Sequence, residues 1–210
     1  MDVLATLDPR LQPDSGKSTG TVFLVHGWPD LALGWANHIP FLLSKGLSVV
    51  ALDKIGYGGT DLSEDVKFYT WKRAADDIAT LSSQLGLSRI ILGGHDFGGA
   101  VVYRTAIWHP DLVAAFYVLN TPFAAPTASG KFKQPALYIA ATQDLTLPPS
   151  LSEGMETYFD SLGRGEIDGG HWARWEKPLE VDKYVGNWLA TSVFGNASLN
   201  LTAGLGLGAP

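Results

Sequence analysis

The chain has 210 residues, of which 46% are hydrophobic and 17% charged, a balance typical of one compact globular domain. Its formal net charge of −6 disfavours a nucleic-acid or anionic-membrane partner. Because it contains no cysteine, disulfides and thiolate metal sites are excluded.

The first 20 residues are polar and are interrupted by Pro9 and Pro13. They lack the apolar core of a secretory signal peptide, and no apolar run in the sequence reaches the length that spans a membrane. We therefore expect a polar N-terminal segment over residues 1–20 and a cytoplasmic location.

Five short apolar runs predict the strands of a buried sheet. Each run is rich in Val, Ile, Leu and aromatic residues and is bounded by turn residues, as in strands that are covered on both faces. The runs cover residues 21–27, 47–53, 89–94, 114–120 and 135–144.

Helical patterns separate or follow these runs, over residues 70–86, 98–110, 150–162 and 178–194. The alternation predicts an α/β fold with a mostly parallel central sheet and helices on both faces. We expect a single domain over residues 21–194, followed by a flexible glycine-rich tail over residues 195–210.

Reactive groups in such sheets gather at the carboxyl ends of the strands. The candidates next to the predicted strand ends are His26, Trp28, Asp53, Asp96, Asp144 and His171. We interpret His26 as a residue that packs beneath the site, His95 as a neighbour and not the base, and Asp53 as a carboxylate that organises its loop.

The segment Gly94-His95-Asp96-Phe97-Gly98 has the spacing of a nucleophile elbow, a sharp turn from strand to helix that presents a nucleophile above the sheet. The alternative is that Asp96 only caps the helix. A cap alone would not require four glycines around it, at positions 93, 94, 98 and 99. The sequence therefore favours Asp96 as a nucleophile, with the backbone N–H groups of Phe97 and Trp28 as oxyanion donors.

Asp144 follows a predicted strand, and His171 lies further along the chain. The chain order Asp96, Asp144, His171 is the order nucleophile, acid, base that α/β-hydrolases use. An ionised carboxylate at the elbow can displace a leaving group from saturated carbon and form an ester, which histidine-activated water can then hydrolyse. Epoxide opening and halide displacement both fit this chemistry.

Six segments together resemble the epoxide hydrolase branch of the α/β-hydrolase superfamily. They are VHGWPDLALGW, LDKIGYGGTD, GGHDFGGAVVYRTAIWHP, LNTPF, PALYIAATQDLTLPP and GGHWARWEKPLEV, and the resemblance covers about residues 21–190. It implies an α/β-hydrolase fold, with Asp96 as the nucleophile, His171 as the base and Asp144 as its orienting acid. It implies no cofactor and no metal.

The chain departs from this family in one respect. Epoxide hydrolases of this type usually carry a helical lid, inserted between the strand that ends in LNTPF and the strand that begins with PALYI. The lid supplies two tyrosines that protonate the epoxide oxygen. Here only residues 124–134 join the two strands, so we expect no inserted lid domain and an open site.

The missing lid raises the question of what replaces it. By its loop position Tyr57 is a candidate acid, and its alternative role is that of a packing aromatic. We expect Trp28, Tyr57, Phe97 and Trp172 to contact a small apolar substrate such as an epoxide. A homodimer that covers the open site is a further expectation.

Three other functions stay open. Haloalkane dehalogenases share this plan but usually have Trp after the nucleophile, where this chain has Phe97, which offers no side-chain N–H. A lidless enzyme of natural-product biosynthesis could use the same residues for a cyclisation, isomerisation or elimination. A binding module that has lost the reaction is the third alternative, and the complete set of Asp96, Asp144 and His171 argues against it.

Overall fold

The computed structural model describes residues 4–6, 11–13, 17–123 and 131–201. One sheet runs in the order β1-β3-β2-β4-β5-β6-β7. Its strands are β1 (Leu4–Thr6), β2 (Gly20–Val25), β3 (Leu47–Lys54), β4 (Ile90–His95), β5 (Val113–Leu119), β6 (Ala136–Ala141) and β7 (Leu162–Ile167). Only β1 pairs antiparallel among these strands, against β3, and the expected mostly parallel sheet is confirmed.

Helices cover both faces of the sheet, as predicted. They are α1 (Ile39–Ser44), α2 (Trp71–Gln84), α3 (Phe97–Trp108), α4 (Ala173–Glu176) and α5 (Pro178–Trp188). Residues of α1 and α5 join one apolar cluster of the core, and residues of α2 and α3 join the other. Because the inner strands are buried on both faces, every residue of β2, β4, β5 and β6 is buried.

The predicted helix over residues 150–162 is wrong. Two short 3₁₀ turns, Pro149–Ser152 and Met155–Tyr158, occupy this region, and β7 follows them. β7 has no continuous apolar run, because it lies at the sheet edge, is only partly buried and contains two glycines. One of them, Gly165, lies against the ring of Tyr184 on α5, where a Cβ would collide.

The N-terminal region contains a strand that the sequence analysis did not identify, because β1 lies inside the segment expected to be polar. Beyond β1, the carbonyl of Leu11 accepts a hydrogen bond from Val49 N at 3.0 Å, and Gln12 accepts one from Ser48 Oγ at 2.7 Å. At the other end Leu199 is buried against the core, so ordered structure extends past residue 194. Residues 202–210, the rest of the expected tail, lie outside the described residues.

The connection between β5 and β6 spans residues 120–135, of which 120–123 and 131–135 are described. A helical domain does not fit into so few residues, so the chain carries no inserted lid at this point. In the described ranges no helix is long and apolar enough to cross a membrane. The cytoplasmic location stays a prediction.

Gly98, the second glycine of the elbow, allows α3 to lie directly on β2. A Cβ at Gly98 would overlap the carbonyl oxygens of Val25 and His26. We expect Gly98→Ala to lower the free energy of unfolding by about 2 kcal/mol or more, because the backbone must shift to admit the methyl group. Equilibrium urea unfolding measures this change.

Gly195→Ala is the matched control, because the nearest atom to its new Cβ lies 3.8 Å away. We expect this variant to unfold like the parent. Equal stability of the two variants would contradict the close approach of α3 to β2.

Candidate active site

Asp96 lies at the turn between β4 and α3, and its backbone is strained. Its φ of 52° and ψ of −126° are rare for a residue with a side chain. Such strain is typical of functional sites, where the surrounding structure maintains it. Here the glycines permit the turn, since a Cβ at Gly94 would collide with the backbone of Gly98.

The Asp96 carboxylate is held on one side and faces a histidine on the other. Only 8% of the residue is exposed. Its Oδ1 accepts a hydrogen bond from Trp28 N at 2.8 Å, and its Oδ2 lies 3.6 Å from His171 Nε2. The second distance is too long for a direct hydrogen bond, so Oδ2 is not tied to the imidazole.

His171 is oriented by Asp144. Its Nδ1 lies 2.8 Å from Asp144 Oδ2, and an ionised carboxylate there requires Nδ1 to carry the proton. The other ring nitrogen, Nε2, is then free to accept a proton, and it points to Asp96. Asp144, His171 and Asp96 therefore form one continuous line of contacts across three strand ends.

Asp144 is only 2% exposed, but its carboxylate is surrounded by donors. Oδ1 accepts from Thr146 N at 2.8 Å and Leu147 N at 3.0 Å, and Oδ2 accepts from the Asn120 amide at 2.8 Å. Burial alone would raise the pKa of Asp144. The hydrogen bonds from Leu147, Asn120, His171 and Thr146 outweigh burial and lower this pKa below its ordinary value.

Sequence reasoning missed two residues that position the histidine. Asn120 is fully buried with a φ of 65°, and its amide donates to Asp144 Oδ2 and to Gly170 O. Glu176 accepts hydrogen bonds from the N–H groups on both sides of His171, Gly170 N at 2.7 Å and Trp172 N at 3.2 Å. The place of Asn120 directly after β5 was the one available signal.

His26 and His95 have the supporting roles that the sequence predicted. His26 Nδ1 donates to Gly27 O at 2.8 Å and its Nε2 accepts from Lys54 N at 3.2 Å. Burial and the nearby Lys54 charge lower the pKa of His26 to about 3, so it is neutral. His95 Nε2 donates to His171 O at 2.6 Å, and burial lowers the pKa of His95 well below its ordinary value.

Asp53 binds the loop that follows β2 and not only its own loop, because its Oδ1 accepts from Ala32 N at 2.7 Å. A buried ion pair holds the loop that follows β2. The guanidinium of Arg174 pairs with Asp30, donates to Gly34 O at 2.8 Å and lies 5.2 Å from the ring centre of Trp35. Arg174 thereby connects the chain just after His171 to the loop that carries Trp28.

The mouth of the site is apolar and open. Trp28 is 59% exposed, and Phe97 is 51% exposed with its ring edge-on to Trp71 at 5.7 Å. Trp172 packs against the rings of His171 and His95, and Tyr57 packs against His26 at 5.0 Å. A shallow depression of about 440 Å³ beside Tyr57 extends the opening. Trp28, Phe97 and Trp172 therefore lie next to Asp96 and His171, and Tyr57 lies beside His26. Their contact with a substrate stays a prediction.

The two expected oxyanion donors, Trp28 N and Phe97 N, flank Asp96, and their role stays a prediction. Trp28 N already binds Asp96 Oδ1. Phe97 is the first residue of α3, so its N–H has no partner within the helix. In the described part of the chain, no group of three or more His, Asp or Glu side chains is arranged to hold a metal ion.

Comparison with known proteins shows which family this chain belongs to. The family model described as the alpha/beta hydrolase fold matches residues 20–132, which include Trp28, Asp96 and Phe97. The chain belongs to the α/β-hydrolase family. Within this family it is an epoxide hydrolase-like member, as the sequence predicted.

The similar curated proteins include epoxide hydrolases. The chain is 37% identical to Epoxide hydrolase srdG of Neurospora crassa over 119 residues, which is 54% of this chain and 35% of that protein. It is 39% identical to Epoxide hydrolase A of Mycobacterium tuberculosis over 107 residues, 51% of this chain and 33% of that protein. The matched regions therefore span about a third of these relatives.

Solved structures of epoxide hydrolases share the fold of this α/β-hydrolase. Epoxide Hydrolase A from Mycobacterium thermoresistibile superimposes with a TM-score of 0.79 at 18% identity, covering 90% of this chain and 94% of that chain. An epoxide hydrolase from Bacillus megaterium in complex with its diol product has a TM-score of 0.80 at 16% identity, covering 91% and 99%.

The lowered pKa of Asp144 affects the stability of the protein in acid. Because this pKa is lower in the folded protein than in the unfolded chain, the ionised carboxylate adds to stability at pH values above the ordinary aspartate pKa. This stability is lost as the pH falls through the folded-state pKa. We expect Asp144→Asn to lose less stability than the parent between about pH 5 and about pH 2.

Urea unfolding across this range measures the effect. Asp160→Asn, at an exposed carboxylate outside the site, is the control and should follow the parent. Parallel curves for the parent and Asp144→Asn would contradict the account of Asp144.

Proposed function

We propose that this epoxide hydrolase-like protein opens epoxides through an ester on Asp96 and hydrolyses that ester with water activated by His171. The observation that carries the proposal is the strained turn that holds Asp96 between Trp28 N and His171 Nε2. A carboxylate in this position has a free oxygen for attack and a base beside it.

In the first step Asp96 Oδ2 attacks an epoxide carbon. The carbon–oxygen bond of the ring breaks, and the electron pair moves to the epoxide oxygen, which takes a proton. Trp28 N holds the other carboxylate oxygen at 2.8 Å and so orients the attack.

In the second step His171 Nε2 takes a proton from water, and the hydroxide attacks the carbonyl carbon of the ester. Asp144 holds the imidazole in the required tautomer and stabilises the imidazolium that forms. The N–H groups of Trp28 and Phe97 stabilise the oxyanion of the tetrahedral intermediate. Collapse of this intermediate breaks its bond to the substrate oxygen, and the leaving alkoxide takes the proton of the new carboxyl group to give the diol. The Asp96 carboxylate is thereby restored, and His171 releases its proton to solvent.

Halide displacement is less well supported than epoxide opening. A departing halide needs donors, and the Phe97 side chain has none. Its ring packs edge-on against Trp71. A haloalkane dehalogenase-like activity therefore ranks below epoxide hydrolysis.

The exposed mouth supports a second candidate, a non-hydrolytic step on a bulky intermediate of natural-product biosynthesis. Trp28 and Phe97 are more than half exposed, so a large polycyclic substrate could lie across them. His171 or Asp96 would then act as a base in a cyclisation, isomerisation or elimination. Turnover of such a substrate without incorporation of water would support this candidate over hydrolysis.

Trapping of the ester tests the proposed reaction. In His171→Gln the ester should form and persist, because no base activates water. Intact mass after incubation with epoxides, from styrene oxide to bulky terpenoid epoxides, should increase by the mass of the epoxide, while the parent releases diol. The double variant Asp96→Ala/His171→Gln is the control and should gain nothing. No adduct and no diol across the panel would overturn the hydrolase proposal.

A second copy of the chain is the proposed cover of the open mouth. Leu31 and Leu33 are exposed in the loop beside Trp28 and continue its apolar surface. Sedimentation equilibrium should show a concentration-dependent dimer for the parent, and Leu33→Glu should weaken it at least about tenfold because a charge would be buried. Leu179→Glu, at an exposed position on α5, is the control. A parent that stays monomeric would contradict this arrangement.

A further inference from the structure

The proposed first step needs an acid for the epoxide oxygen. The residues that join β5 and β6 leave no room for a lid that could supply one. Near Asp96, the described residues Tyr57 and Lys54 are the two candidates for this donor that the catalytic triad does not use.

Lys54 lies level with the nucleophile on the same sheet edge. Val25 pairs with Leu52 of β3 on one side and with Gly94 of β4 on the other. Two residues further along these three strands lie Gly27, Lys54 and Asp96. Two strand spacings separate Lys54 from Asp96, about 10 Å, and an extended lysine side chain covers more than half of this distance.

The surroundings of Lys54 place it beside the site. It lines a small hollow together with Ala74 and Ile78 of α2 and Val101 of α3. Its Nζ lies 5.9 Å from the ring centre of Tyr57, a residue that itself packs against His26. The acidic groups that act on the ammonium are Asp96 and Asp30.

Lys54 differs from Arg174, the buried cation near the site. Arg174 has an ion-pair partner in Asp30, and Asp77 of α2, which also borders the hollow around Lys54, pairs with Arg73. Lys54 is partly exposed, and among the described residues no carboxylate lies within 4 Å of its Nζ. An ammonium near the site that has no ion-pair partner is available to a bound substrate.

Burial lowers the pKa of Lys54 to about 8, against the attraction of Asp96 and Asp30. The same cause acts in the opposite direction on Tyr57, where burial and the Asp96 charge raise the pKa. Near neutral pH Lys54 is therefore the better proton donor of the two, because an acid is most effective when its pKa lies near the working pH.

We propose that the Lys54 ammonium is the acid that protonates the epoxide oxygen when Asp96 opens the ring. The inference rests on the proposed function and adds the residue that replaces the missing lid donors. Asp96 Oδ2 forms the new bond to carbon, and the ring carbon–oxygen bond breaks. A proton of Lys54 Nζ moves to the oxygen, which becomes a hydroxyl. The neutral amine then regains its proton from solvent.

The experiment measures the rate of ester formation by rapid-quench mass spectrometry, with His171→Gln as the background so that hydrolysis does not interfere. In this background the rate constant should fall as the pH rises through about 8, because Lys54 loses its proton. Adding Lys54→Met should lower the rate at least about 100-fold near neutral pH and remove the alkaline decline. Methionine keeps an unbranched apolar stem in the hollow.

Lys54→Arg distinguishes proton donation from a purely electrostatic role. Arginine keeps the positive charge but does not release its proton in this range, so ester formation should stay slow. Tyr57→Phe tests the other candidate donor and should keep the alkaline decline. Lys183→Met, at an exposed lysine on α5, is the matched control and should keep both the rate and the alkaline decline. Urea unfolding of each variant shows that it is folded, and Lys54→Arg carries the test if Lys54→Met is not.

Each of the other possible outcomes would overturn a specific part of the proposal. An unchanged rate and pH profile in Lys54→Met would overturn the acid role while leaving the Asp96 ester in place. Recovery of the rate in Lys54→Arg would show that Lys54 acts only through its positive charge. Loss of the alkaline decline in Tyr57→Phe would assign the proton to Tyr57. No ester in the His171→Gln background would overturn the proposed function itself, and the role of Lys54 with it.

Discussion

Asp96 holds a φ of 52° because three elements converge on it: β4 delivers it, α3 begins directly after it, and the loop after β2 donates Trp28 N to its carboxylate. Two of these close approaches are possible only because glycine has no side chain. A Cβ at Gly27 would collide with Asp96, and one at Gly98 would collide with β2. The glycines around the elbow are therefore a requirement of close packing as much as of chain flexibility.

The same arrangement gives the carboxylates of Asp144 and Asp96 different electrostatic roles. Asp144 is almost fully buried, but four donors keep it ionised, so it can hold the His171 proton. Among the described residues, Asp96 accepts the Trp28 N–H on one oxygen and has a histidine beside the other. A carboxylate with fewer donors is the better nucleophile, and the more strongly bound one is the better orienting group.

Much of this arrangement could be predicted from the sequence, because strands with apolar runs end at recognisable residues. Asp96, Asp144 and His171 follow such ends, and the glycine pattern identified the elbow. Asn120, Glu176 and Lys54 could not be assigned, since their roles depend on contacts between distant parts of the chain. Strand β7 was missed because an edge strand with two glycines lacks the continuous apolar pattern of the inner strands.

The covalent ester on Asp96 is the central claim, and one turnover in ¹⁸O-labelled water tests it most directly. With enzyme in excess over an epoxide that the parent hydrolyses, the first diol should take its new oxygen from Asp96 and contain no ¹⁸O, and the peptide that carries Asp96 should gain ¹⁸O. A first-turnover diol that contains ¹⁸O, with Asp96 unlabelled, would show direct attack of water and contradict the account.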